Sequence, residues 1–352
     1  MKEAELYIPI ANGRVMCTAC ARHCKVGEGQ IGLCGIRQNI GGKLQLLSYG
    51  KLFTGHIDPI EKKPVTHYHP GSRIFSVATS GCSWLCRYCQ NWDISQRRKI
   101  EGFDIEPVQV PRLAQAQECQ GIAYTYNEPS IFIEFARDIG VEAHRKGMFN
   151  IFVSNGYDTP ESVAMMSQFL DCITVDFKGS GETSFVRKYI GIPNADPIFD
   201  TLDEIRKKTK IHVEITDLIV PQVGDNLEQA RKLSKWVYDH LGPETPIHFL
   251  RFHPDYKMME FPNTPVETLE KHHKIAKEEG LDYAYLGNVP GHPLEHTYCP
   301  ECKKVVVERY GYDITGWFLD SKNNCRFCGH PISIEGKLAA TVSEERYLPA
   351  YF

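Results

Sequence analysis

"RIFSVATSGCSWLCRYCQNW" (residues 73–92) decides how the rest of the chain reads. Residues 73–79 are rich in β-branched and aromatic side chains and end at a Ser-Gly pair, the pattern of a short buried strand. Directly after it come Cys82, Cys86 and Cys89, three cysteines within eight residues. A strand that runs into a loop of metal ligands places chemistry at its carboxyl end. That is where α/β barrels and open parallel sheets hold their sites.

Working outward, the same kind of run recurs. "IAYTY" (122–126), "NIFVSN" (150–155), "CITVDF" (172–177), "HVEITDLIV" (212–220), "IHFLRF" (247–252) and "DYAYLG" (282–287) each read as a strand. Helix signals lie between them. Thr159-Pro160 and Thr264-Pro265 look like N-caps followed by proline at the first helical position. Asp225 is placed to cap "NLEQARKLSKWVYDHLG", and Gly147, Gly242 and Gly280 stand where C-terminal glycines belong. Strands alternating with helices imply an α/β fold with a parallel sheet, and right-handed crossovers wind it into a partial or complete (β/α) barrel. A doubly wound open sheet is the alternative. Cys82, Asn127, Glu128, Asn155, Asp176, Lys178, Arg251 and His253 all follow or end strands, as a site at the carboxyl mouth requires.

The bulk numbers narrow the function classes. The 352 residues are 42% hydrophobic and 24% charged, with a formal net charge of -4, so a sizeable core is expected and binding to nucleic acid or an anionic membrane is disfavoured. No apolar run is long enough for a membrane span, and "MKEAELYIPIANGRVMC" lacks the apolar region of a secretory signal; a cytoplasmic location is expected. Of thirteen cysteines, eleven fall in three clusters, and an odd total in a reducing compartment speaks for metal ligation over disulfides. Cys119 and Cys172 stand apart and read as buried apolar thiols.

A [4Fe–4S] cluster normally takes one thiolate on each of four irons. A three-cysteine loop leaves one iron open, and an open coordination position marks a reactive rather than a structural metal. The competing reading is a zinc or iron–sulfur knuckle whose fourth ligand is remote, Cys119 or Cys172.

The CxxxCxxC loop after the first strand, with Tyr88 just before the third cysteine, resembles the radical S-adenosylmethionine (SAM) enzymes. The resemblance implies a [4Fe–4S] cluster on Cys82, Cys86 and Cys89 with SAM chelating the open iron. One electron then splits the S–C5′ bond, and a 5′-deoxyadenosyl radical takes a hydrogen from a substrate. By position, Tyr88 lies near the adenine and Glu128 of "YTYNEPS" (124–130) near the methionine ammonium. "VSNG" (153–156), "VDFKG" (175–179) and "LRFHPDYKM" (250–258) resemble segments of pyruvate formate-lyase activating enzymes, which implies that Asn155, Asp176, Lys178 and His253 face cofactor or substrate. A longer set of matches, "DPIEKKPVTHYHPGS" (58–72), residues 81–96, "GNVPGHPLEHTYCPEC" (287–302) and "CTACARHCKVGEGQIGLCGIRQN" (17–39), resembles the AmmeMemoRadiSam system radical SAM proteins over nearly the whole chain. It implies a one-electron donor such as flavodoxin or ferredoxin and an unidentified substrate, a protein glycyl residue being one candidate. The glycyl-radical activating enzymes lack a C-terminal four-cysteine module, so their role transfers only as one option.

That module is Cys299, Cys302, Cys325 and Cys328, two C-x-x-C knuckles that can close a tetrahedral site for zinc or a rubredoxin-type iron, with structural zinc the default reading. Cys17, Cys20, Cys24 and Cys34 form a second complete set. Spacing does not separate zinc from an auxiliary iron–sulfur cluster there; zinc is the default, and the neighbouring His23 reads as solvated. The expected organisation is a Cys-rich module over 1–66, the barrel over 67–295 and a zinc-ribbon or rubredoxin-like module over 296–352. Two non-radical readings compete: a zinc-ribbon module binding RNA or protein, and an electron-transfer protein with three metal sites.

Overall fold

All seven expected strands form in the computed structural model, which describes residues 1–339 and the backbone of 348–349; the remainder of the C-terminal module lies outside the described residues. They are β1 (Arg73–Ala78), β2 (Gly121–Tyr124), β3 (Phe149–Ser154), β4 (Cys172–Lys178), β5 (His212–Ile219), β6 (Ile247–Arg251) and β7 (Ala284–Gly287). Each pairs in parallel with the next, in sequence order from β1 to β7. The crossovers carry α1 (Gln109–Ala116), α2 (Ile133–His144), α3 (Pro160–Met166), α4 (Asp196–Lys208), α5 (Leu227–His240) and α6 (Val266–Glu278). An antiparallel strand, Thr54–Pro59, covers the free edge of β1, and among the described residues no ladder joins it to β7. The structure is therefore a partial barrel.

Strand periodicity sorts the residues into two faces. Phe75, Val77, Ile122, Tyr124, Phe152 and Val175 lie in the main core, which also holds buried residues of all six helices. Their alternates Ile74, Ala123, Ile151 and Cys172 point into the barrel, where Ile60, Val65 and Tyr68 plug its amino-terminal end. Glu214 pins that plug. Its buried carboxylate accepts the Thr66 and His67 amides at 2.9 and 2.8 Å and pairs with His248 at 2.7 Å and His212 at 3.3 Å.

Both flanking segments dock on the barrel. The N-terminal residues build two three-stranded sheets, and Arg37 from one of them makes a buried ion pair with Glu134 of α2. The strands Thr297–Tyr298, Val305–Tyr310 and Asp313–Trp317 form a small antiparallel sheet at the other end, which shares a core with Tyr283 and Tyr285. No helix among the described residues is long and apolar enough to cross a membrane.

The helix signals hold in part. Thr159 caps α3, accepting the Ser162 amide at 3.1 Å, with Pro160 in the first turn. Gly147 and Gly280 adopt positive φ just past α2 and α6. Two expected caps are corrected. Asn226, not Asp225, caps α5 through the Glu228 amide, because Asp225 turns back to accept from Gln222. Thr264 does not cap α6; its hydroxyl donates to Ile219 and accepts the Phe252 amide, tying two barrel strands together instead. Thr159 also donates to the Thr18 carbonyl at 2.6 Å, so Thr159→Ala removes a cap and a tether to the N-terminal segment. Urea unfolding is expected to show a loss of about 1–2 kcal/mol.

Candidate active site

The three-cysteine loop starts just past β1 and is clamped on two sides. Asn127, just past β2, donates through Nδ2 to the Thr79 and Gly81 carbonyls, both at 2.8 Å. The Leu85 and Arg87 amides bond to Ile190 and Tyr189 at 3.0 and 2.9 Å, and the Lys257 amide bonds back to Arg87 at 2.8 Å. Gly81 sits at φ +87°, and a Cβ there would lie 2.2 Å from the Cys34 carbonyl oxygen. Only glycine satisfies both the backbone and this contact. Gly81→Ala is expected to cost about 3 kcal/mol or more in urea unfolding and to lower the iron retained by the protein.

The three cysteines are half-buried at the mouth of the barrel. Burial pushes the Cys82 thiol up to about 12 and Cys86 well above its ordinary value. Burial also raises Cys89, opposed by Ser95, whose hydroxyl lies 3.2 Å from its sulfur, and by the Lys178 ammonium. Three such thiols ionise readily only when a metal takes up the charge, which is how metal binding couples to proton release. Neither lone cysteine can join them. Cys119 precedes β2 and Cys172 begins β4, at the amino-terminal end of the sheet. With strands rising about 3.3 Å per residue, that is roughly 15–20 Å from the loop. The reading with a remote fourth cysteine falls on this geometry, and both cysteines are buried as expected.

Strand-end residues gather around the loop. Asn155 donates through Nδ2 to Ser83 Oγ at 3.1 Å, and its Oδ1 accepts the Tyr157 amide at 2.9 Å. Glu128 is buried; Oε1 accepts from the Ser130 amide and Ser154 hydroxyl, and Oε2 accepts the Asn155 amide at 2.7 Å. A carboxylate offers about four lone-pair positions, so roughly one remains on Glu128 for another donor. Buried Asp158 lies beside it. Burial first, and then the Glu128 charge, push its pKa well above the usual carboxylate range.

Asp176 accepts from the Thr216 hydroxyl and pairs with Lys178 at 3.0 Å. The two side chains are only 24% and 15% exposed, so this is no solvated surface pair. Tyr88 is buried beside Cys86, near-parallel to Phe185 at 6.0 Å and edge-on to Phe252 at 6.3 Å. His253 is exposed, three residues before Tyr256, which stacks on Trp92 at 5.5 Å. Ser83, Ser95, Asp158, Phe185 and Thr216 were not among the expected site residues. Ser83 and Ser95 lie in or beside the loop in sequence but carry no motif of their own, and only tertiary folding brings Asp158, Phe185 and Thr216 to it.

The C-terminal knuckles meet in space. Cys299 and Cys328 sulfurs stand 3.6 Å apart, and Cys302 and Cys325 3.7 Å apart. A tetrahedral ion with metal–sulfur bonds of about 2.3 Å separates its ligands by roughly 3.8 Å, so this quartet is spaced for one ion. Among the described residues it alone brings three or more ligand atoms within 4.8 Å of one another. The loop thiols and the N-terminal quartet are wider, and His23 beside that quartet is exposed.

Residues 76–237 match the model of the radical SAM superfamily. An uncharacterized protein of Methanocaldococcus jannaschii is 42% identical over 337 residues, covering 95% of this chain and 99% of that one. The chain belongs to the radical SAM superfamily. Among solved structures it is similar to a radical SAM methyltransferase from Sphaerobacter thermophilus (TM-score 0.49, 14% identity, 62% of this chain and 66% of that one). It is also similar to a domain of a pyruvate-formate lyase-activating enzyme from Bacteroides vulgatus (TM-score 0.41, 16% identity, 48% of this chain and 99% of that one). Membership implies a [4Fe–4S] cluster and SAM. A radical SAM loop needs three thiolates at more than single-ion spacing; Cys82, Cys86 and Cys89 fit, and neither lone cysteine is placed to add a fourth.

Proposed function

We propose that Cys82, Cys86 and Cys89 hold the [4Fe–4S] cluster at which this radical SAM enzyme cleaves SAM and starts hydrogen abstraction from its substrate. The observation that carries this reading is the three-thiol loop at the carboxyl mouth of the barrel, with both lone cysteines at the opposite end. When bound, the reduced cluster would supply one electron for the reductive cleavage of SAM that leads to hydrogen abstraction.

The chain's own residues bind and orient. Tyr88, braced by Phe185 and Phe252, offers adenine an apolar wall. Lys178 brings a cation toward the SAM carboxylate, while Asp176 orients it through their ion pair. Glu128 keeps one acceptor position for the methionine ammonium and otherwise fixes the end of β3. Asn155 holds the Cys loop through Ser83, and His253 stands at the rim, where it can reach bound cofactor. The C-terminal quartet holds structural zinc or a single rubredoxin-type iron. A flavodoxin or ferredoxin supplies the electron.

The finer placement is among the AmmeMemoRadiSam system radical SAM proteins, on the motifs quoted above, with a partner-protein glycyl residue as one candidate hydrogen donor. The test is anaerobic: reconstituted, reduced protein with SAM should release 5′-deoxyadenosine, and deuterium from the true substrate should appear in it. A cluster-loaded protein that makes no 5′-deoxyadenosine sinks the reading.

A further inference from the structure

The N-terminal quartet and the C-terminal quartet have the same ligand count and different shapes. In the C-terminal set, paired sulfurs stand 3.6 and 3.7 Å apart, the spacing of one tetrahedral ion. Cys17, Cys20, Cys24 and Cys34 surround one hollow, yet no three of their sulfurs lie within 4.8 Å of one another. A single zinc would leave some of them out of bonding reach. A [4Fe–4S] cubane holds its four thiolates roughly 6 Å apart, because each is carried outward on a separate iron.

The walls agree with an anionic guest. Besides the four cysteines, Arg22, Arg37 and Ser83 line the hollow. Arg22 donates through Nε to the Ser83 carbonyl at 3.0 Å, while its Nη2 is buried with no protein partner. A buried, unpartnered guanidinium N–H beside four thiols is a donor waiting for an anionic acceptor, and cluster sulfurs are such acceptors.

The hollow also abuts the catalytic loop. Ser83, the residue after Cys82, is part of its lining, and the Cys34 carbonyl packs where a side chain on Gly81 would be. We propose that Cys17, Cys20, Cys24 and Cys34 hold a second, fully thiolate-ligated [4Fe–4S] cluster, not zinc, directly against the SAM-cleaving loop. With a thiolate on every iron it has no open position for SAM. The proposal stands on the quartet's own geometry and does not depend on what the Cys82 loop does with SAM.

Acid-labile sulfide decides it, since neither zinc nor a single rubredoxin-type iron contains any. Anaerobically reconstituted full-length protein is expected to hold about eight sulfides and one further mononuclear metal per chain. The Cys82→Ala/Cys86→Ala/Cys89→Ala variant should keep about four sulfides and a reduced-cluster EPR signal that SAM does not alter. The Cys20→Ala/Cys24→Ala variant should keep about four sulfides with a SAM-sensitive signal. About four sulfides and two zincs in the unmodified protein overturn the proposal, as does a loop variant with none. The loop variant leaves the quartet intact, so it decides even if the Cys20/Cys24 variant does not fold. Eight sulfides with a SAM-insensitive signal would retain the second cluster and defeat the SAM reading alone.

Discussion

Cys86→Ala is expected to bring 5′-deoxyadenosine formation down to the protein-free background. Three thiolates are the minimum that hold a [4Fe–4S] cluster while leaving one iron for an exchangeable ligand. Removing one leaves two on the loop, and neither lone cysteine can replace it, because Cys119 and Cys172 sit at the far end of the strands. The loop itself should persist. Its clamps run through the Leu85, Arg87 and Lys257 amides and the Asn127 side chain, none of which uses the sulfur. Circular dichroism and metal at the C-terminal quartet should therefore be unchanged, while roughly four irons per chain are lost. Background-level nucleoside together with native fold and C-terminal metal is the expected combination. Continued SAM cleavage by the variant would falsify the assignment of Cys86.

Glu214→Gln is expected to be the costliest single change away from the metal sites. Glu214 is fully buried and serves two backbone amides and two histidines at once. A glutamine turns an NH₂ toward donors that need an acceptor and leaves His212 and His248 without their anion. Breaking a buried pair on one side costs about 3–5 kcal/mol, and urea unfolding of the reconstituted variant should show it.

The same network sets a pH profile. Glu214 and Glu335, through their hydrogen bonds, raise His212 to about 9 against the cost of burial. Its stabilisation is complete below about 6.5 and is lost as pH rises through about 9, a fall of about 3 kcal/mol. On the acid side, burial holds His67 down to about 3, so stability drains as pH falls from about 6.5, where the unfolded chain begins to protonate it. Glu214 is held well below its ordinary value by His212 and His248 against desolvation, so its contribution goes below about pH 4.5. Maximum stability should lie near pH 6.5, and Glu214→Gln should flatten the alkaline limb. An equally steep alkaline limb in the variant would place the titration elsewhere.

Much of this molecule is legible in one dimension. The seven strands are where alternating and β-branched runs put them, because burial of one or both faces is written into side-chain periodicity. The loop of Cys82, Cys86 and Cys89 is legible because all three ligands lie within one turn of chain, and a covalent spacing survives any packing. Caps are less so: Asp225 and Asn226 are adjacent and chemically similar, and only the path of the preceding turn chose Asn226.

What the tertiary structure alone decided concerns distances between residues far apart in sequence. The two four-cysteine sets look equivalent as spacings, and folding draws one tight enough for a single ion and spreads the other around a hollow. Glu128 reads as a mouth residue, and only the fold shows it spending most of its acceptors on Ser130, Ser154 and Asn155. The barrel's open edge, the Glu214 network under its plug and the Gly81–Cys34 contact have no local signature. Each joins segments separated by tens to hundreds of residues, and sequence periodicity carries no information about which distant surfaces meet.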